Sequence, residues 1–358
     1  MKKYIFCLII TAFSICSAFA KSTKPKQLTF FKADNKNIAY VGRIDFSDKY
    51  KPKFWSAGVY IQVKFKGPYL KIYLNDEVLG GNNHNYLEIS IDDDTTYRIK
   101  LTGKYNKIKI GGHLSNGVHT VTICKDTESG IGYLQFIGVK CTELLPVHKK
   151  HRKIEFIGDS ITTGTGSDQS VLKCGEGQWY DQHNAYMSYG PTTARALKAQ
   201  WYLTAIAGIG MIHSCCNMGV TMPEVFDKLY LRADSIAWDF NRYTPDVVTI
   251  CLGQNDGKQD SLAFCSAYVN FIKTIRSHYP KADIVCLTSP MGNAKLTALL
   301  KKDIAAIQQY FNNMGDKKVS HYFFSRSFND GCGGHPSMAQ HQLIAAELTD
   351  YLKGLKGW

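Results

Sequence analysis

Beyond its first twenty residues, the sequence lacks any apolar run long enough to cross a bilayer, and it lacks internal repeats and low-complexity tracts. A membrane-spanning helix needs about 20 mainly apolar residues, so no membrane span is expected. Residues 1–20 combine two lysines, an apolar stretch and a closing Ala-Phe-Ala, a pattern typical of a secretory signal peptide. We therefore expect an exported protein, periplasmic or secreted, that is cleaved after Ala20.

Motifs for binding metals and nucleic acids are also missing. The cysteines form no CxxC pair, and the formal charge of +13 comes from scattered lysines with one cluster, HKKHRK, at 148–153. No helix-turn-helix, zinc-finger or aromatic-basic motif accompanies that cluster. The acidic run at 92–94 fits a hairpin turn better than a calcium loop. We expect no metal, no cofactor and no nucleic-acid partner.

The cysteines do not divide evenly into pairs. Of the eleven, two lie in the predicted signal peptide, and the remaining nine leave at least one unpaired or bonded to another chain. Cys251 and Cys286 lie inside apolar runs and are expected to be core thiols. Adjacent cysteines bridge each other with difficulty, so Cys215 and Cys216 are not expected to pair. The other pairings stay open.

The pattern of apolar residues predicts two domains. From about residue 27 to 145, apolar and polar residues alternate with period two between frequent turn signals, which is typical of an all-β sandwich or jelly roll. After the basic cluster, apolar strands alternate with amphipathic helices, which indicates an α/β domain with a parallel sheet flanked by helices. We place the jelly-roll domain at 21–147 and the α/β domain at 148–358.

In the second domain, the predicted elements alternate along the chain. The strands are expected at 154–158, 201–207, 246–253, 283–290 and 321–325. The longest helices are expected at 261–279, 296–315 and 337–355. Sheets of this kind carry their sites at the carboxyl ends of the strands, so the residues that follow each strand are the candidates for chemistry.

Four such places supply complementary groups. Ser160 follows the first strand, Gly208 the second and Asn255 the third, while His335 precedes the last helix. A serine hydroxyl becomes a nucleophile when a neighbouring imidazole accepts its proton. The backbone N–H of Ser160 and Gly208, with the amide of Asn255, are candidate donors for the oxyanion of a tetrahedral intermediate. Each motif alone is weak, but the ordered set predicts acyl transfer.

The blocks GDSIT, AIAGIG, GQND and GHPS resemble those of the SGNH (GDSL-type) hydrolases. With a jelly roll in front, the chain is similar to carbohydrate esterase family 2, the acetyl esterases that act on plant polysaccharides. The resemblance covers nearly all of the chain after the signal peptide. It implies Ser160 as nucleophile, His335 as base, and Gly208 and Asn255 as oxyanion donors alongside Ser160 itself.

One position departs from the SGNH pattern. Most of these hydrolases have an aspartate three residues before the histidine, whereas this chain has Cys332. A neutral thiol cannot replace a carboxylate. Asp330 is a possible third member if the glycine-rich turn curls back. The favoured alternative is a Ser–His dyad in which a backbone carbonyl accepts the Nδ1–H of His335 and fixes its tautomer.

Aromatic residues near the site are candidates for sugar binding. The polar segment 174–186 carries Trp179 and Tyr180, whose rings are suited to stacking on a sugar or to ordinary loop packing. Trp238, before the third strand, fits either a cleft wall or an interdomain contact.

The sequence thus predicts an exported serine esterase that deacetylates a polysaccharide or oligosaccharide of the acetyl xylan or glucomannan type. Two alternatives remain. One is a GDSL-type lipase or thioesterase with a longer acyl pocket, and the other is a carbohydrate-binding protein whose hydrolase domain is inactive.

Overall fold

The computed structural model describes residues 27–112, 114–231 and 236–358. The predicted signal peptide lies outside these residues. The predicted fold class is confirmed, since an all-β domain precedes an α/β domain with a five-stranded parallel sheet. In the described part of the chain, no helix is both long and apolar enough to traverse a membrane.

The N-terminal domain is built on one long strand that joins most of the others. All its strand pairings are antiparallel. Its strands are β1 Thr29–Lys32, β2 Ile38–Val41, β3 Lys53–Phe54, β4 Tyr60–Asp76, β5 Tyr86–Ile91, β6 Thr95–Lys100, β7 Tyr105–Gly111, β8 Val118–Lys125 and β9 Leu134–Leu145. Strand β4 pairs with β2, β7, β8 and β9, and its inward side chains alternate with more exposed ones. This period-two pattern forms the buried core of the domain.

The acidic run at 92–94 forms the turn between β5 and β6. Asp92 and Asp93 have φ of 55° and 59°, and the N–H of Asp94 donates to the carbonyl of Ile91 at 3.0 Å. Aspartate is one of the few residues that tolerates this left-handed conformation. Among the described residues, no group of three or more metal-ligating side chains is arranged to hold an ion.

In the second domain the strand order is β11-β10-β12-β13-β14, and all neighbours are parallel. The strands are β10 Lys153–Gly158, β11 Gln200–Ala205, β12 Val247–Cys251, β13 Asp283–Leu287 and β14 Val319–Tyr322. The helices are α1 Ser160–Thr163, α2 Tyr189–Ala196, α3 Met222–Val225, α4 Ser261–His278, α5 Ala294–Asn313 and α6 Met338–Lys356. Apart from Lys153, every residue of the central strands β10 and β12 is buried, as expected for a sheet covered on both faces.

The last strand differs from its predicted position. It begins at Val319 and ends at Tyr322, whereas the sequence favoured 321–325. Past its end, the N–H of Phe324 donates to the Thr288 hydroxyl at 3.2 Å and that of Ser325 to the Glu347 carboxylate at 3.0 Å. These two N–H groups bond to side chains and not to a neighbouring strand, so the strand ends at Tyr322, before the predicted end at 325.

The two domains share a buried, aromatic-rich boundary. Tyr60 stacks on Trp201 with ring centroids 3.9 Å apart, and the Trp201 indole N–H donates to the carbonyl of Gly58 at 2.9 Å. Trp238 is 5% exposed and lies against the guanidinium of Arg43. The Arg43 Cζ atom is 5.3 Å from the centroid of the Trp238 ring. The contact with Arg43 supports an interdomain role for Trp238, which also lines a cavity of about 410 Å³, so a role in substrate binding stays a prediction.

The structure also assigns the cysteines. Cys251 and Cys286 are buried free thiols, as expected. Cys332 is not a thiol, because it is bonded to Cys174. The expectation for Cys215 and Cys216 is wrong in this structure, which pairs them as a second disulfide. The prediction rested only on the adjacency of the two cysteines in sequence. Adjacent cysteines can form a disulfide where the backbone turns sharply, and Cys216 has φ of 63°.

Candidate active site

Ser160 and His335 meet at the carboxyl edge of the parallel sheet. Ser160 opens α1, one residue after β10 ends at Gly158, and His335 lies between a short 3₁₀ turn at 332–334 and α6. The two residues are 175 positions apart in sequence, yet His335 Nε2 is 2.9 Å from Ser160 Oγ. A serine hydroxyl hydrogen-bonded to a partly buried imidazole is the arrangement that activates a nucleophile.

The other ring nitrogen of His335 faces a backbone carbonyl. Nδ1 lies 3.2 Å from the carbonyl oxygen of Cys332, so an Nδ1–H donates there and leaves Nε2 free to accept the proton of Ser160. Asp330 is exposed; its N–H donates to Gln340 Oε1 at 2.8 Å, and its carboxylate has no contact with His335 among the described residues. The structure therefore brings together the dyad with a carbonyl and not the alternative with Asp330.

Burial tunes this imidazole. Desolvation lowers the pKa of His335 below its ordinary value, and the hydrogen bond to the Cys332 carbonyl opposes that shift. The net direction is downward, so His335 is neutral at neutral pH. A neutral imidazole is the form that accepts a proton.

Two of the backbone groups predicted to be oxyanion donors have no acceptor within the described chain. They are the N–H groups of Ser160 and Gly208. Gly208 has φ of 87°, and a Cβ there would lie 2.9 Å from Cys215 Sγ, so a side chain is disfavoured by both conformation and space. Unpaired N–H groups at a strand end are what an oxyanion requires.

Asn255 reaches the site, but its amide is engaged. Its Nδ2 donates to the carbonyl of Ile209 at 2.9 Å and to Asp159 Oδ2 at 3.3 Å. Both amide hydrogens therefore have protein acceptors in this structure. The role of Asn255 as a third oxyanion donor stays a prediction. It requires that the Nδ2–H directed at Asp159, 3.3 Å away, turn towards the oxyanion instead.

Asp159, the residue before the serine, is a buried carboxyl. Its Oδ1 accepts the N–H of Ile161 at 3.0 Å and so caps α1. Burial raises the pKa of Asp159 to about 7, and the neighbouring Asp256 adds to the effect. This group thus titrates near neutrality within one residue of Ser160.

Asp256 fixes the loop that carries Gly208. Its carboxylate accepts the consecutive N–H groups of Met211, Ile212 and His213 at distances from 2.7 to 3.0 Å. The sequence pointed to Asn255 in the same GQND block and missed this role. A partial signal was present, since Asp256 lies in the segment after a buried strand, where sheets of this kind place their sites.

Glu128 enters the site from the N-terminal domain. Its Oε1 accepts the hydroxyls of Thr163 and of Thr165, the latter at 3.0 Å, and its Oε2 accepts the N–H of Ala207 at 3.2 Å. Burial raises the pKa of Glu128, which these three hydrogen bonds oppose. Nothing in the sequence distinguished Glu128 from a turn residue after β8.

The loop between α1 and α2 lines one side of the site. Trp179 on this loop is 59% exposed and borders a cavity of about 320 Å³ together with Glu128, Ala207 and Met218. Tyr180 is only 2% exposed and packs with Tyr86 and Ile131 of the first domain, so its ring offers no face to a ligand. Loop packing thus explains Tyr180, whereas Trp179 stays a candidate for substrate binding.

Arg98 of β6 holds this loop against the first domain. Its guanidinium donates to the carbonyls of Asp181 and His183 and lies 4.0 Å from the ring centroid of Tyr86. It also lies within 4 Å of the buried carboxylates of Asp126 and Asp168. The N-terminal domain therefore shapes the position of the loop that carries Trp179.

Both domains match known protein families. Residues 40–148 match the family described as carbohydrate esterase 2 N-terminal, and residues 156–343 match the GDSL-like lipase/acylhydrolase family. A solved family two carbohydrate esterase from Clostridium thermocellum, in complex with cellohexaose, is 31% identical with a TM-score of 0.82. The alignment covers 90% of this chain and 99% of that one.

Two curated relatives extend the comparison. Cellulase/esterase CelE of Acetivibrio thermocellus is 34% identical over 343 residues, which is 91% of this chain but only 40% of that protein. An acetylxylan esterase / glucomannan deacetylase of Cellvibrio japonicus is 27% identical, with 91% of each chain covered.

Proposed function

The chain belongs to carbohydrate esterase family 2, within the GDSL-type hydrolases, and on that premise we propose that it is an exported serine esterase that deacetylates polysaccharides or their oligosaccharides. The observation that carries the proposal is the Ser160–His335 hydrogen bond of 2.9 Å, with the Cys332 carbonyl behind the imidazole. Family membership alone would not distinguish an active enzyme from a binding protein.

In the proposed reaction, Ser160 Oγ attacks the carbonyl carbon of the acetyl group while His335 Nε2 takes the hydroxyl proton. The resulting oxyanion is met by the free N–H groups of Ser160 and Gly208, each of which contributes transition-state stabilisation of about 3 kcal/mol. His335 then returns the proton to the departing sugar hydroxyl, which leaves an acetyl group on Ser160. Water, deprotonated by His335, releases acetate and regenerates the serine.

The choice of an acetyl group and a sugar leaving group is supported by the relatives and by one exposed aromatic ring. The Cellvibrio japonicus relative is named for activity on acetylxylan and glucomannan, and the Clostridium thermocellum structure holds a glucan chain. Here the exposed ring of Trp179 stands beside the cavity next to Ala207 and supplies an aromatic face of the kind that sugars stack on. The predicted signal peptide supports export to where polysaccharides are found.

The test is acetate release by the purified protein from acetylated xylan, acetylated glucomannan and 4-nitrophenyl acetate. Ser160→Ala should reduce turnover on all three by roughly a thousand-fold or more, because removal of a nucleophile abolishes the covalent route. Ser170→Ala is the matched control: Ser170 is exposed in the neighbouring loop and contacts neither Ser160 nor His335.

These three substrates, together with longer-chain nitrophenyl esters and a glycan-binding measurement, separate the alternatives. Release from a polysaccharide, lost only in Ser160→Ala, supports the proposal. Cleavage of longer-chain nitrophenyl esters in preference to the acetate would favour a lipase or thioesterase. Glycan binding by both wild type and Ser160→Ala, with no hydrolysis by either, would favour a carbohydrate-binding protein and overturn the proposal.

A further inference from the structure

The residue in place of the usual aspartate is covalently tied to a distant loop. Cys332 is bonded to Cys174, 158 positions earlier, and its carbonyl accepts the Nδ1–H of His335. The orientation of the imidazole thus depends on the position of one peptide group. A carboxylate side chain could be held in place by its own hydrogen bonds. A backbone carbonyl has no such independent support, so its position depends entirely on the conformation of the backbone.

That backbone has few other anchors. Three of the four residues from 331 to 334 are glycines, and Gly333 and Gly334 have φ of 63° and 72°, so the segment is free to adopt many conformations when untied. Three backbone bonds hold it: the Cys332 N–H donates to the Gly166 carbonyl at 2.8 Å, the Gly331 N–H to the His335 carbonyl at 2.7 Å and the His335 N–H to the Cys332 carbonyl at 3.2 Å. Only the first of these ties the turn to another part of the chain. Within residues 331–334, Cys332 has the only side chain, and that side chain forms the disulfide with Cys174.

The other end of the bond is firmly held. Gln182 donates through Nε2 to the carbonyls of Lys173 and Glu176, at 3.0 and 2.9 Å, on either side of Cys174. The Asp181 N–H and the Asp181 carboxylate further close this loop onto Gln178. Cys174 is exposed, so its sulfur is open to thiol exchange from solvent.

We propose that the Cys174–Cys332 disulfide is a positioning element of the reaction, and that the esterase is therefore active in its oxidised state and impaired when the bond is reduced. This inference rests on the proposed esterase function. Reduction by an external dithiol breaks the S–S bond with two electrons and two protons, leaves two thiols, and converts the dithiol to its own disulfide. The Cys332 carbonyl then loses its tether, and the Nδ1–H contact that aims Nε2 at Ser160 is no longer fixed.

The experiment compares wild type, Cys174→Ser and Cys265→Ser on 4-nitrophenyl acetate, with and without dithiothreitol. Cys174→Ser removes the bond while leaving residue 332 and its carbonyl unchanged. Cys265 is a partly exposed free cysteine on α4, so its variant controls for loss of a thiol. Alkylation and mass measurement of the folded protein report whether the bond has been cut.

We expect kcat of Cys174→Ser to fall roughly ten-fold with KM changed less than about two-fold, because a misplaced base affects chemistry more than binding. Dithiothreitol should bring wild type and Cys265→Ser down to the same level and leave Cys174→Ser unaffected. Dithiothreitol also reduces the Cys215–Cys216 disulfide. Because Cys174→Ser keeps that second disulfide, an unchanged activity of this variant in dithiothreitol shows that the effect on wild type comes from the Cys174–Cys332 bond.

The pH profile distinguishes positioning from a purely structural effect. The Cys332 hydrogen bond raises the pKa of His335, so its loss should move the acid limb of kcat/KM to lower pH in Cys174→Ser. Wild type that keeps full kcat after the bond is shown to be cut would overturn the inference, and so would an unchanged acid limb in Cys174→Ser. Absence of activity in oxidised wild type would instead count against the proposed function.

Discussion

Glu128 Oε2 accepts the N–H of Ala207 at 3.2 Å, although the two residues belong to different domains. Ala207 directly precedes Gly208, whose free N–H is a proposed oxyanion donor. Through its other oxygen, Glu128 accepts the hydroxyl of Thr163 in the helix that Ser160 opens. One carboxylate from the first domain therefore fixes both the nucleophile helix and the donor loop.

Glu128→Ala is therefore expected to lower kcat on a small acetyl ester roughly ten-fold, since a hydrogen bond to a charged group is worth about 1.5–3 kcal/mol. Glu128→Gln keeps an acceptor oxygen and should retain more of the activity. Glu143→Ala, at an exposed position of β9, is the control and should match wild type. Equal kcat in Glu128→Ala and Glu143→Ala would show that the contact does not position the donor.

The pH dependence of turnover follows from the burial of His335. Desolvation lowers the pKa of this imidazole, and only its neutral form accepts the serine proton. The acid limb of kcat/KM should therefore have its midpoint below about 6.5, the ordinary histidine value. A midpoint above that value in steady-state measurements on 4-nitrophenyl acetate would contradict this assignment of the base.

The free energy of unfolding should decrease as the pH rises, because Asp159 ionises. Its folded pKa, about 7, is above the unfolded value, so the folded state binds the extra proton between about pH 4 and 7 and loses that advantage as the pH rises. Asp159→Asn keeps an acceptor for the Ile161 N–H but cannot ionise. We expect urea unfolding to show wild type losing up to about 4 kcal/mol relative to the variant between pH 4 and 8. A constant difference between the two proteins across that range would refute this account.

Trp179 should affect polysaccharides and not small esters. Trp179→Ala removes an exposed aromatic face beside the Ala207 cavity, and loss of about 1 kcal/mol of stacking should raise KM for acetylated polysaccharide roughly five-fold. Its kcat/KM for 4-nitrophenyl acetate should stay near the wild-type value. Tyr105→Ala, at a 78% exposed ring on β7, serves as the matched control. A similar loss on both kinds of substrate would assign Trp179 a structural role.

Local patterns in the sequence were enough to predict the fold class and the approach of Ser160 to His335. Each of these residues directly follows or precedes a strongly patterned element, and parallel strands bring their carboxyl ends to one edge. The contacts of Glu128 and Arg98 were not predictable in this way. Both are charged side chains that point out of β-domain segments, and only the packing of one domain on the other reveals what they bind.

The cysteines illustrate the same limit. Cys251 and Cys286 could be assigned because strand periodicity places them in the core. The bond between Cys174 and Cys332 joins two polar, glycine-rich segments with no periodicity, so the sequence carried no distance information between them. For Tyr180 the sequence left sugar stacking and loop packing open, and only the structure shows the ring covered by Tyr86 and Ile131.

The position of Arg98 has a consequence for the integrity of the whole chain. Its guanidinium lies beside Asp126 of its own domain and Asp168 of the other, so separation of the domains would take the cation away from Asp168. An excised hydrolase half would also lose Glu128 and the surface that supports Tyr180. Heating should accordingly melt both halves in a single cooperative transition, and residues 148–358 expressed alone should not yield a well-folded enzyme.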